Sequence, residues 1–436
     1  MTLVPKVITV QQALDMVQSG FNITLGMAAG EPAAFCKDLH TVADRAEDIT
    51  ITSCLNCAAG EYLTEAMVTK TFKIDSWFYT PTLRALHHTG RVSYLPNCLR
   101  FAAKKRNAHR KADIFIGSAC LPEPDGKFRF SLGNVYEEEI AKEAGIVILE
   151  VNPNAPRSQG QNWLHSSDVD FIIETDYPMF TIDETPATDM DRRVGQRIAD
   201  LISDGDCIQI GVGGIPNAVC KELESRKNLG IHTEMMTDGI MRLMKKGAAN
   251  GSRKQVDKGK AICAFSLGTR ELYEFMHNNP DVLVQRGCDV NDPNVIMQND
   301  NQVSINSTVE VDLSGQCCSE SLGTMQISGA GGQSDTAIGA QQSKDGFSVI
   351  GLHSTAMAKD PVTGQKERVS KIVPTLRPGA AVTLSRNDAD FIATEYGCVS
   401  LRGLTVKERA ESLISIAHPE YREELRKAAR ELMIWI

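Results

Sequence analysis

The chain is short of several things that would assign it to a class at once. No apolar stretch in its 436 residues approaches the roughly 20 that a membrane helix needs, so no membrane partner is expected. No run of lysine and arginine could track a phosphate backbone. The formal charge of −9 comes from acids and bases mixed along the chain, so nucleic acid is not an expected partner either. Met1 to Val10 lack a basic segment followed by a long apolar core. No signal peptide is expected, and a cytoplasmic location follows. A metal-ligand framework is missing too. Cys54-Leu55-Asn56-Cys57 is a CxxC without a second one, and His87-His88 is a poor substitute, so the pair reads as structural and no metal is expected. The twelve cysteines are scattered, mostly in apolar company, and read as buried free thiols rather than disulfides.

What remains is an ordinary water-soluble composition, 42% hydrophobic and 23% charged. The length exceeds what one hydrophobic core usually serves, so two domains are expected. The chain repeats its own plan. Ser19-Gly20-Phe21-Asn22-Ile23-Thr24-Leu25-Gly26 precedes Gly30-Glu31-Pro32-Ala33-Ala34-Phe35-Cys36-Lys37-Asp38-Leu39. Asp204-Gly205-Asp206-Cys207-Ile208-Gln209-Ile210-Gly211 precedes Gly214-Ile215-Pro216-Asn217-Ala218-Val219-Cys220-Lys221-Glu222-Leu223. Both read as a tight turn, a short apolar strand, a glycine turn and a new helix. Val169 to Glu174 echoes Ala389 to Glu395 near the end of each half. Apolar runs such as Ile114 to Ile116, Ile146 to Leu149 and Val349-Ile350 fit inner strands of a mostly parallel sheet. The expected fold is therefore α/β, with two similar open domains, 1–180 and 187–436, and a helical C-terminal end. Thr405-Val406-Lys407-Glu408 is a capping box that opens the first of two terminal helices, which read as scaffold or dimer surface. Val303 to Leu313 alternates apolar and polar residues, as a half-exposed strand would.

The chemistry points to Ile231-His232-Thr233-Glu234-Met235-Met236-Thr237-Asp238-Gly239. Glu234 stands between a predicted strand and a polar turn. Upstream lies the glycine turn Gly211-Val212-Gly213-Gly214-Ile215, and downstream Ser328-Gly329-Ala330-Gly331-Gly332-Gln333-Ser334-Asp335. The first turn has neither the GxGxxG spacing nor a Gly-Lys-Ser/Thr ending, so neither a Rossmann nor a P-loop reading is supported. Taken singly, each turn could be a tight strand-to-helix connection, and Glu234 a solvated turn residue. Together, one carboxylate between two nests of backbone N–H groups suggests covalent acyl chemistry, with the carboxylate as nucleophile and the amides on an oxyanion. Asp238 reads as the cap of the helix that follows.

At these residues the chain resembles the class I coenzyme A transferases of the acetyl-CoA hydrolase/transferase family, in the branch of 4-hydroxybutyrate and butyryl-CoA:acetate CoA-transferases. The matching segments are Gly211 to Val219, Leu229 to Gly239, Ile305 to Gln316, Ser328 to Asp335, His353-Ser354-Thr355, Asp390 to Gly397, Leu401-Arg402-Gly403 and Ile416 to Pro419. The resemblance implies that Glu234 forms a glutamyl-CoA thioester in a ping-pong reaction, with the backbone amides of Val212 and Gly332 as oxyanion donors. It implies coenzyme A contacts at Gly211, Val212, Gly213, Gly214, Ile215, Val309 and Gly332, with Lys359 as a candidate for a CoA phosphate. Coenzyme A is then a substrate, no tightly bound cofactor is expected, and a homodimer is. The expected partners are acyl-CoA and short-chain carboxylates: acetate, butyrate or 4-hydroxybutyrate. The alternatives are transfer to a dicarboxylate such as succinate or itaconate, acyl-CoA hydrolysis with the same Glu234, and a non-covalent sugar-phosphate isomerase or binding module using Glu234 as a base.

Overall fold

The structure, a computed structural model, describes residues 5–57, 60–359 and 365–436. Its first sheet contains β1 (Lys6–Val7), β2 (Asn22–Leu25), β3 (Ile49–Ser53), β4 (Phe72–Ser76), β5 (Val92–Tyr94), β6 (Ile114–Ala119), β7 (Ile146–Val151) and β8 (Phe171–Glu174). They lie in the order β1-β8-β7-β6-β2-β3-β4-β5, all parallel. The second sheet contains β9 (Cys207–Ile210), β10 (Gly230–Ile231), β11 (Gln302–Ser307), β12 (Phe347–Gly351), β13 (Phe391–Thr394) and β14 (Gly397–Ser400). Their order is β10-β9-β11-β12-β13-β14, and only the β13–β14 pair is antiparallel.

The repeated sequence plan has a topological counterpart. Without β1, β4 and β5, the first sheet runs β8-β7-β6-β2-β3. Without β14, the second runs β13-β12-β11-β9-β10. The strands fill the same places in the same chain order. A helix follows the leading strand of each unit: α1 (Ala33–Asp38) after β2, and, beyond α2 (Asp189–Ala199), α3 (Gly214–Glu222) after β9.

Successive side chains of the inner strands enter different apolar clusters, as burial on both faces requires. Ile114 and Ile116 of β6 pack with Ile23, Leu25 and Phe35. Phe115, between them, joins Leu149 in a cluster that also takes Ile208, Val303 and Val349 of the second sheet. That cluster connects the two halves. A third holds Ile350 and Ile392 under the C-terminal helices α6 (Val406–Ser415) and α7 (Arg422–Glu431), through Leu413 and Leu425. The Thr405–Glu408 capping box is present at the start of α6, and Thr188 caps α2 in the same way.

Two local expectations are corrected. The alternating segment at Val303 is not half-exposed: Gln302 to Ile305 of β11 are buried at the centre of the sheet. Ser304 and Asn306 face other polar groups. Ser304 Oγ donates to Gln209 Oε1 at 2.8 Å, and Asn306 Nδ2 donates to the same oxygen at 3.2 Å. Period-two alternation reports polarity on one face, and here that face is satisfied internally. The helix cap near Glu234 is Thr237, whose hydroxyl accepts from Ile240 N–H at the start of α4 (Asp238–Lys245). Asp238 sits one place inside the helix and accepts from Thr269 N–H at 3.2 Å.

Candidate active site

The strand order of the second sheet reverses between β9 and β11, which puts a crevice at their carboxyl ends. Gly211 leaves β9 there, with its N–H donating to Ile305 O at 3.0 Å. Gly213 adopts φ of +120°, a backbone geometry that glycine supplies without strain, and α3 starts at the next residue. Val212 is exposed and lines the crevice.

The second glycine turn, at 329–332, leads into α5 (Gln333–Gln342) and is held by the first half of the chain. Tyr79 N–H donates to Ser328 O at 3.2 Å, Leu99 N–H to Gly331 O at 3.2 Å, and Ala330 N–H to Tyr94 Oη at 2.9 Å. Arg100 forms an ion pair with the buried Asp335 in the first turn of α5. Gly329 packs so closely on Trp77 O that a Cβ would lie 2.3 Å from it.

Glu234 sits between these turns. It follows β10 by three residues and precedes the short strand Met235–Met236. Ala264 N–H and Phe265 N–H both donate to its backbone carbonyl, at 2.9 and 3.1 Å, which fixes the main chain under the carboxylate. Asn291 Nδ2 donates to Oε2 at 2.6 Å. A Cβ on Gly332 would fall 2.1 Å from the same oxygen, so only glycine lets the backbone approach this closely. Burial pushes the Glu234 carboxyl up to about 7, and the charge of Asp335 adds to the rise. The Asn291 and Gly332 hydrogen bonds pull it back, because they favour the ionised form. Asp335 is itself raised by burial, to about 6, against the opposing pull of Arg100.

A cavity of about 290 Å³ opens on Glu234. From the second half it is lined by both glycine turns, from Gly211-Val212 to Gly332. From the first half come Met27, Cys54, Leu55, Trp77, Phe78 and Leu99. A longer groove of about 700 Å³ adjoins it at Ser307 and runs past Ile215, Val309 and His353 to Lys371 and Arg377. Of the residues singled out in the sequence, Glu234, Gly211, Val212 and Gly332 thus meet in one cavity, while Ile215 and Val309 line the groove. Gly213 and Gly214 shape the turn between them. Lys359 ends the strand Thr355–Lys359, and its side chain lies outside the described residues. Cys54 is a buried wall whose thiol is raised well above its ordinary range by burial; Cys57 is pushed up to about 12 for the same reason. Both are protonated thiols at neutral pH, as a structural role requires.

Sequence reasoning missed Asn291 and Arg100. Asn291 follows a short helical turn, Gly287–Val290, and no local pattern marks it. Arg100 meets Asp335 across 235 positions of chain. Only the long-range fold brings either to the site.

The fold agrees with what the chain resembles among known proteins. Residues 3–182 match the acetyl-CoA hydrolase/transferase N-terminal domain, and residues 268–429 match the C-terminal domain of the same family. The succinyl-CoA:cyclohexane-1-carboxylate CoA transferase of Geobacter metallireducens is 41% identical, over 98% of this chain and 95% of that one. The 4-hydroxybutyrate coenzyme A transferase of Clostridium kluyveri is 39% identical, over 96% of each. The crystal structure of RipA from Yersinia pestis superposes with a TM-score of 0.90 at 35% identity, covering 98% of both chains. The protein belongs to the acetyl-CoA hydrolase/transferase family.

Proposed function

We propose that the protein is a CoA-transferase that moves coenzyme A between a short-chain acyl-CoA and a free carboxylate through a thioester on Glu234. The observation that carries this reading is the Glu234 carboxylate, held by Asn291 Nδ2 at 2.6 Å and facing a cavity between two glycine turns. In the first step a Glu234 oxygen attacks the thioester carbonyl, the C–S bond breaks, and CoA leaves as thiolate. An acyl-glutamyl anhydride remains. The thiolate then attacks the glutamyl carbonyl and expels the acyl group as its carboxylate, leaving glutamyl-CoA. An incoming carboxylate reverses both steps and regenerates Glu234. No step gains or loses a proton, so one ionised carboxylate and neutral donors suffice. Each tetrahedral intermediate carries an oxyanion, and the backbone N–H groups of Val212 and Gly332 are its donors, each typically worth on the order of 100-fold in rate.

In this reading the groove past Ile215 and Val309 receives the pantetheine arm, and Gly213 and Gly214 let it pass close to the backbone. The Lys359 ammonium pairs with a CoA phosphate as a point charge. Coenzyme A enters and leaves as substrate, with no resident cofactor. The acyl groups are acetyl, butyryl or 4-hydroxybutyryl, in keeping with the similarity to the Clostridium enzyme. The chain divides functionally at 1–180 and 187–436. We place the enzyme in the cytoplasm as a homodimer. No helix among the described residues is long and apolar enough to cross a membrane. The C-terminal end also exposes Met433 and Trp435, which suits an interface.

The test is direct. Incubation with butyryl-CoA followed by borohydride reduction should modify the peptide that contains Glu234, as read by mass spectrometry. An unmodified Glu234 during turnover excludes the covalent route. Turnover of butyryl-CoA should require added acetate and yield acetyl-CoA and butyrate, and free CoA released without acetate would instead make the protein a hydrolase.

A further inference from the structure

His232 lies two residues before Glu234, just past the end of β10, and is buried. Its main chain is held on both sides. The N–H donates to Ile208 O of β9 at 3.2 Å, and the carbonyl accepts from Gln302 Nε2 of β11 at 3.3 Å. The ring thus leaves the sheet from a fixed base and reaches Val290 O, with Nε2 at 2.9 Å. A carbonyl can only accept, so Nε2 carries the proton and donates. Burial pushes the imidazole down to about 4, and the charge of Lys254 adds to the fall against the pull of the Val290 bond. The ring is therefore neutral across the range in which Glu234 ionises, near 7.

The residue after Val290 is Asn291, whose Nδ2 donates to Glu234 Oε2 at 2.6 Å. A closed circuit results. It runs from the Glu234 carboxylate through the Asn291 side chain to Val290 O, across to the His232 ring, and back along Thr233 to Glu234. The other end of the turn Gly287–Val290 is pinned from the first half. Gly287 N–H donates to Asn134 O at 2.8 Å, and a Cβ on Gly287 would lie 2.5 Å from Val135 O. Few bonds share this task. His232 Nδ1 and Asn291 Oδ1 are buried and accept no hydrogen bond among the described residues. Each side chain is oriented by the one polar contact that belongs to the circuit.

We infer that His232 is a positioning residue for the nucleophile: its ring sets Val290 and Asn291, and Asn291 sets the Glu234 carboxylate. The neutral ring does this without adding a charge to the site. The inference rests on the reading of Glu234 as nucleophile and adds a residue that acts on it through Asn291.

The test is a double-mutant cycle in the intact enzyme, with butyryl-CoA and acetate as substrates. His232→Leu removes the donor, and His232→Gln keeps an amide N–H near the place of Nε2. His232→Leu should lower kcat by between about ten- and 100-fold, the scale of misplacing a reacting group by about an ångström, with KM nearly unchanged. His232→Gln should recover most of that loss. Asn291→Ala should also lower kcat, and adding His232→Leu to it should lower kcat no further.

The pH midpoint of kcat/KM should move up in His232→Leu and return in His232→Gln. The Asn291 bond favours the ionised carboxylate, so loosening it raises the carboxyl. The lost titration of His232 falls far below that range and cannot move the midpoint. Asp335, whose charge acts on Glu234, and Lys254, whose charge acts on His232, are present in every variant. A side chain needed only for packing would lower Tm, leave the midpoint in place and add its effect to that of Asn291→Ala. If His232→Leu does not fold, His232→Asn takes its place in the cycle, since its shorter amide falls short of Val290 O. An unchanged kcat, additive losses or an unmoved midpoint overturns the positioning role while the thioester on Glu234 still forms. A wild-type enzyme that forms no such thioester overturns the nucleophile reading, and this inference with it.

Discussion

Glu234 is held as a carboxylate that is costly to ionise. Its pKa near 7, set first by burial, means that the ionised form fills in only through the neutral range. The kcat/KM for butyryl-CoA should therefore rise from pH 6 to pH 8 and level off above it, with the charge of Asp335 contributing to the position of the midpoint. A flat profile across that range would contradict the buried carboxylate. The same shift has a consequence for stability. The folded-state pKa lies above the unfolded value, so the unfolded chain releases the proton first and folding is penalised once Glu234 is ionised. That penalty is full above the folded pKa, near 7, and gone below the unfolded one, near 4.3. Glu234→Gln should thus raise Tm at pH 8, lose most of that gain at pH 5, and abolish CoA transfer. A thermal-shift series at the two pH values reads the effect. Glu234 was visible in the sequence because a lone glutamate between strand and cap is unusual company for two glycine turns. Asn291 was not, because its role exists only through one long-range hydrogen bond.

The glycine turn at 329–332 is the most constrained element of the site. Gly332 has an ordinary φ of −99°, so its need for glycine is purely one of space. A Cβ would sit 2.0 Å from Asn291 Nδ2 and 2.1 Å from Glu234 Oε2. Gly332→Ala should lower kcat by at least about 100-fold, since it displaces both nucleophile and donor, with little change in Tm. Parallel steady-state kinetics and melting curves check both halves of that expectation. The turn is also tied down by the Arg100–Asp335 pair. Removing the guanidinium in Arg100→Ala leaves a buried acid without its partner and should cost about 1.5–3 kcal/mol, measured by urea titration. No change would mean that the backbone bonds from Tyr79 and Leu99 hold the turn alone. At this scale the sequence was informative about elements and poor on their surroundings. Strands at Ile114, Ile146 and Val349 announced themselves by apolar runs. The Gln209–Ser304–Asn306 chain between β9 and β11 did not, since polar residues satisfied by one another look like polar residues facing water.

Across the whole molecule, the shared strand order of the two sheets turns a faint sequence echo into a common topology. The apolar cluster that joins Phe115 and Leu149 to Ile208 and Val303 gives the halves one interior. Thermal unfolding followed by calorimetry should accordingly show one cooperative transition, and two resolved transitions would show the halves to be independent. Repeats were legible in the chain because turn and strand residues recur in register. The extra strands β4 and β5 were not, because nothing in their sequence says which edge of a sheet they will join.

Those two strands bear on how such an enzyme can diversify. In the proposed reaction, bond making and breaking is confined to the second half of the chain, whose geometry tolerates almost no change at Gly332. The first-half wall of the cavity comes from residues at the ends of strands in the other sheet. A lineage can therefore exchange Leu55, Phe78 or Leu99 and explore new acids while the reacting atoms stay where they were.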